Sequence, residues 1–139
     1  MKHETRNIER TLTLQSSQEK VWQAITDPDS IGQWFGESAE FELKAGALGW
    51  LGWEHHGQFA MRVEAVEPRH YFAWRWMRLK DVPFDESEST LVEWRLTSLP
   101  QGGTELLLIE SGFKSPESRT DNVGGWQEEL AHLQNFLDM

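Results

Sequence analysis

Apolar residues keep to even positions between Asn7 and Gln15, at Ile8, Leu12 and Leu14. That period of two predicts a half-buried strand. The period then lengthens. Ser16 and Glu19 read as a capping box opening a helix with Val21, Trp22 and Ile25 on one face. "TDPDS" stops it, and Asp27-Pro28 reads as the cap and first residue of a second short helix running into "GQWFGE". From Glu40 to Phe113 the pattern is strand after strand, in "QFAMRVEAV", "YFAWRWM", "TLVEWRL" and "TELLLIESGF". Turns are expected at Gly46, His55–Gly57, Glu67–His70 and Leu99–Gly103. Connections this short make neighbouring strands antiparallel.

Alternation within these strands sorts residues into two faces. Phe59, Met61 and Val63 share one, as do Phe72, Trp74 and Trp76, and Val92, Trp94 and Leu96. Arg62, Arg75, Glu93 and Arg95 fall on the other, so one side is aromatic and one is wet. The acidic stretch Lys80–Ser89 reads as a solvated, mobile loop. A helix is predicted from Pro116 to Asp138, about 34 Å at 1.5 Å per residue, with Ser115 as cap and Glu117 at the positive end of the dipole. Its stripe is Val123, Trp126, Leu130, Leu133 and Leu137, flanked by Phe136. Towards the N-terminus the same face meets Asn122 and Arg119. Gly124 and Gly125 interrupt it, and each costs roughly 1 kcal/mol of helical preference relative to alanine. The pair predicts a first half less firmly held than the second. Gly125, beside the stripe, reads either as a point of close approach to the sheet or as room left beside Trp126. One long helix must bury its stripe on the aromatic face of an antiparallel sheet, so the fold class is α+β, in a single domain over residues 1–139.

Composition narrows the function. The chain of 139 residues carries a net charge of −10, which opposes binding to nucleic acid and to anionic membrane. No apolar run approaches the length of a membrane span, and the charged start "MKHETRNIER" lacks the apolar core of a signal peptide, so a cytoplasmic protein is expected. Cysteine is absent, which removes disulfides and thiol chemistry. His55-His56 has no third ligand at suitable spacing, and no phosphate loop, nucleotide fingerprint or G-x-S-x-G occurs, so neither metal nor cofactor is expected.

Several strings, in order, resemble the START-like, or SRPBCC, superfamily. They are "VWQAITDPDSIGQWFG" (Val21 to Gly36), "VEAVEPRHYFAWRW" (Val63 to Trp76), "STLVEWRL" (Ser89 to Leu96), "LLLIESGF" (Leu106 to Phe113) and "GGWQEELAHL" (Gly124 to Leu133). The branch they resemble most is related to the activator of the ninety-kilodalton heat-shock protein's ATPase. The resemblance implies a helix-grip fold: a curved antiparallel sheet of about six to seven strands wrapped on the C-terminal helix, with two short helices between the first two strands. It also implies a pocket between sheet and helix. Members of the superfamily bind lipids, hormones or polyketides, and some are cyclases or co-chaperones, so fold alone does not choose among these roles.

The pocket is where residue pattern and resemblance meet. The inward set is rich in tryptophan: Trp50 or Trp53, then Trp74, Trp76, Trp94 and Trp126, with Phe59, Met61, Phe72, Leu106, Leu108 and Leu130 between them. Rigid aromatic walls with few polar groups suit a small molecule, and the same rings can instead fill a core. Trp34 and Phe35 are expected at the sheet's open end, as pocket rim or as packing. If Leu106 and Leu108 point inward, parity sends Glu110 inward too, and a buried carboxylate needs partners. Arg119, Asn122 and, across a bulge, Arg75 are the candidates. Three functions follow. The first is a non-enzymatic protein, monomeric or weakly dimeric, holding a small hydrophobic or aromatic molecule. The second is a module that binds a chaperone-type ATPase through its acidic outer surface. The third is a cyclase or hydrolase using Glu110.

Overall fold

The computed structural model describes residues 7–53 and 56–138, with the side chains of Ser118 and Asp121 set aside; His55 of the histidine pair lies outside the described residues. In chain order come β1 (Ile8–Leu14), α1 (Gln18–Thr26), α2 (Pro28–Trp34), β2 (Ser38–Glu40), β3 (Leu48–Trp53), β4 (Gly57–Glu67), β5 (Tyr71–Met77), β6 (Ser89–Ser98), β7 (Thr104–Ser111) and α3 (Pro116–Leu137). All strand pairs are antiparallel, in one seven-stranded sheet of order β1-β7-β6-β5-β4-β3-β2. The first strand therefore closes on the last, and the two short helices carry the chain across to the far edge. This is the α+β helix-grip arrangement expected from the sequence.

Register settles which side chains face α3. Val92 lies opposite both Trp74 and Glu110, and Trp94 opposite Phe72 and Leu108. The inner face so defined is buried against Trp126, Leu130, Leu133 and Leu137 of α3. A register shift between Val63 and Ala65 sets Val66 opposite Phe72, on the inner face. At the end of α2, Gly36 has φ +68, and a Cβ there would lie 2.7 Å from the Gly52 carbonyl oxygen and 2.9 Å from the Trp53 ring. Only glycine lets α2 pass this closely over β3.

Two expectations need correction, and two others are refined. Ser17, not Ser16, caps α1, its hydroxyl accepting from the Lys20 N–H, while the Ser16 carbonyl accepts from Thr104 Oγ1. Trp50 lies opposite Ala60 and shares the outer face with it; Leu51 and Trp53 are the inward residues of β3. Alternation alone left the two tryptophans undecided because β3 is only six residues long, two of them glycine. The acidic stretch is largely solvated, as expected, and makes surface contacts with the sheet and the segment after it: Arg62 meets Glu86 at 2.7 Å and lies over Phe84, and Lys114 meets Glu88 at 2.9 Å. Finally, a Cβ on Gly125 would meet nothing within 4 Å, so of its two readings the room left beside Trp126 holds and close approach to the sheet does not.

Candidate functional site

Tryptophan fills half of the space between sheet and α3 and leaves the other half open. Trp74, Trp94, Phe72, Met61, Leu106 and Leu108 are fully buried, and Leu130 seals them from the helix side. Trp34 joins this packed half: its indole N–H donates to the Ala24 carbonyl at 2.8 Å and its ring meets Trp94 edge-on. These residues form core, not wall. Beside them an open cleft of about 960 Å³ runs between the middle of α3, from Asn122 to His132, and the ends of β3, β4 and β5. Residues named from the sequence line it: Phe35, Trp53, Phe59, Trp76, Asn122 and Trp126, with Gly125 beside them.

Phe35 separates the two halves. Its ring stacks on Trp126 at 5.3 Å and lies 5.0 Å from Trp53, 5.5 Å from Trp76 and 5.9 Å from Trp74. Expected as pocket rim or as packing, it is 1 % exposed, packed among these rings beneath the cleft as its floor.

Glu110 lies behind that floor, fully buried. One carboxylate oxygen accepts from Trp126 Nε1 at 2.7 Å and from Asn122 Nδ2 at 2.9 Å. The other accepts from Trp76 Nε1 at 2.7 Å and from Thr90 Oγ1 at 2.5 Å. A carboxylate offers about four acceptor positions, and four donors fill them. Of the expected partners only Asn122 is present. The Arg119 guanidinium donates to the Asn7 carbonyl at 3.1 Å, and Arg75 faces outward, towards Glu64 and Ser89. Neutral donors thus replace a cation, and the carboxylate ties a sheet indole to a helix indole. Both rings that line the cleft are oriented by this one side chain.

The cleft also holds residues that pattern reading did not assign to it: His56, Arg78, Glu128, Glu129 and His132. Trp53 Nε1 donates to Glu129 Oε2 at 3.2 Å, a bond from β3 to α3, and Glu129 Oε1 lies 3.1 Å from His132 Nδ1. Helical spacing was the available signal, because Gly125, Glu128, Glu129 and His132 recur at three and four residues on one side of α3. Among the described residues no group of three or more His, Cys, Asp or Glu side chains could hold a metal ion, and no helix is long and apolar enough to cross a membrane.

Comparison with known proteins follows the same outline. The family model described as Activator of Hsp90 ATPase homolog 1-like protein matches residues 15–138. No curated protein sequence matches the chain. Among solved structures, protein MLL2253 from Mesorhizobium loti superposes with a TM-score of 0.82 at 24 % identity, over 95 % of this chain and 96 % of that one. DynU16, from the dynemicin biosynthetic locus, gives 0.82 at 23 % identity over 98 % of this chain, which spans about half of that protein (48 %). The Aha1 dimer from Colwellia psychrerythraea gives 0.76 at 20 % identity over 96 % of each chain. At these identities the structures share the fold.

Proposed function

The chain belongs to the Activator of Hsp90 ATPase homolog 1-like family, and from that premise we propose that it is a non-enzymatic protein holding a small, flat hydrophobic or aromatic molecule in the cleft between sheet and α3. The observation that carries this reading is the wall of half-buried Trp53, Phe59 and Trp76, backed by buried Trp126, around an open space of about 960 Å³. Apolar rings with a few placed polar groups are the usual lining of small-molecule sites. The Glu110 hydrogen bonds support it, since they hold two of the rings in fixed orientation before any ligand arrives. A proton-transfer role for Glu110 lacks support: the group is buried and both oxygens are already taken by donors. The remaining reading, a module acting on a chaperone-type ATPase in the cytoplasm, is favoured by the family match alone.

Gly125→Leu tests the cleft. Its side chain would enter open space, so the fold should survive while the cleft fills. Calorimetric titration with 2-methoxynaphthalene should show binding to the parent protein and at least about tenfold weaker binding to the variant, a loss of about 1.4 kcal/mol. Equal affinities at unchanged melting temperature would place the binding site elsewhere.

A further inference from the structure

The polar end of the cleft has chemistry of its own. His132 Nδ1 lies 3.1 Å from Glu129 Oε1. A carboxylate oxygen only accepts, so in that hydrogen bond Nδ1 carries the proton. The neutral ring then keeps its lone pair on Nε2. Glu129 is itself held, because its second oxygen takes the Trp53 indole N–H across the cleft. Its side chain is 15 % exposed, whereas that of His132 is 57 % exposed. An ordinary pair on a helix surface has both ends in water; here the carboxylate is clamped between two elements and the imidazole turns with it.

Resting on the cleft reading above, we infer that His132 is the recognition residue of this site and that its Nε2 accepts a hydrogen bond from the hydroxyl of a neutral hydroxyaromatic ligand. The rim argues for a neutral donor. Glu37, Glu128 and Glu129 line the same cleft and outnumber its arginine, Arg78, so its charge disfavours an anionic group. Indole faces attract a cation, but both Glu129 oxygens are already taken, by Trp53 and His132, so neither is free as its counter-ion. A phenolic hydroxyl meets the Nε2 lone pair directly, and its ring lies on the indoles.

Two measurements test this. Nitrogen-15 spectra of the histidine rings should show His132 as the Nδ1–H tautomer, reverting to the commoner Nε2–H form in Glu129→Ala. Calorimetry at pH 8 should show 2-naphthol binding about three- to tenfold tighter than 2-methoxynaphthalene, the yield of one hydrogen bond. His132→Phe should erase that difference. A parent protein in the Nε2–H form, or a preference for naphthol that survives in His132→Phe, overturns the inference and leaves the cleft reading intact. If neither probe binds the parent protein, both readings fall together.

Discussion

Glu110 concentrates four hydrogen bonds on one buried carboxylate, and its replacement by glutamine separates hydrogen bonding from shape. The new amide must present NH2 to one pair of donors. On the Thr90 side the hydroxyl can turn to accept, and on the Asn122 side the amide can flip. On either side an indole N–H, of Trp76 or Trp126, cannot adapt. One orphaned buried donor costs about 1–3 kcal/mol. Glu110→Gln should therefore lower unfolding stability by that amount in denaturant titration, and an unchanged midpoint would mean that the four bonds contribute nothing. Tyr71, on the outer face, supplies a second test. Burial first, then its 2.6 Å hydrogen bond to Glu93, pushes the phenol up to about 12. It is the chain's one tyrosine, so tyrosinate absorbance reports it alone. The folded protein should titrate near 12, and the unfolded chain near the ordinary value of 10. With the folded value raised, the stability linked to this group is complete below pH 10 and lost as pH rises towards 12. Tyr71→Phe should lack that alkaline loss.

At the scale of elements, α3 is two helices in one. From Trp126 onward its stripe is buried at Trp126, Leu130, Leu133 and Leu137. Before Trp126 no described residue of the helix is buried; half-buried Val123 packs on the core, and the other contacts are polar: Arg119 to the Asn7 carbonyl and Asn122 to Glu110. Gly124 and Gly125 mark the change. Neither has an atom within 4 Å of where a Cβ would sit, so both sites accept alanine without a clash. Gly124→Ala should raise stability by about 0.4–1 kcal/mol by restricting the unfolded chain. Amide exchange in the parent protein should be faster over residues 116–123 than over 130–137, because local opening of the first half exposes little apolar surface. Equal protection of the halves would refute the division. The glycine pair was visible in the sequence as a weak point. That it borders open space rather than a close contact was not, because the distance between α3 and the sheet is set by the tryptophans beneath.

At the scale of the whole molecule, the sheet protects its own edges. β2 is three residues long, and the outer side of β1 carries Glu9, Thr11 and Thr13, so neither edge offers a long apolar template. With a net charge of −10 on each copy, self-repulsion adds to this. Sedimentation equilibrium at low salt should show a monomer, with any association rising as salt screens the charge. A tight dimer at low salt would mean that an apolar surface outweighs both effects.

Sequence by itself determined β1, the helices and the sidedness of β4 to β7. The period-two runs in β4 to β7 and the stripe of α3 left one arrangement in which all the apolar faces were buried, and parity along β7 carried Glu110 into the core. Tertiary structure alone decided the site. Nothing in the spacing of Trp53, Trp74, Trp76, Trp94 and Trp126 says which rings pack and which line open space. That depends on Phe35, a residue of the α2 end, settling among four of them. Nor could local pattern pair Glu110 with indoles in place of arginine. Hydrogen bonds between residues from 12 to 34 positions apart depend on where the helix finally rests on the sheet.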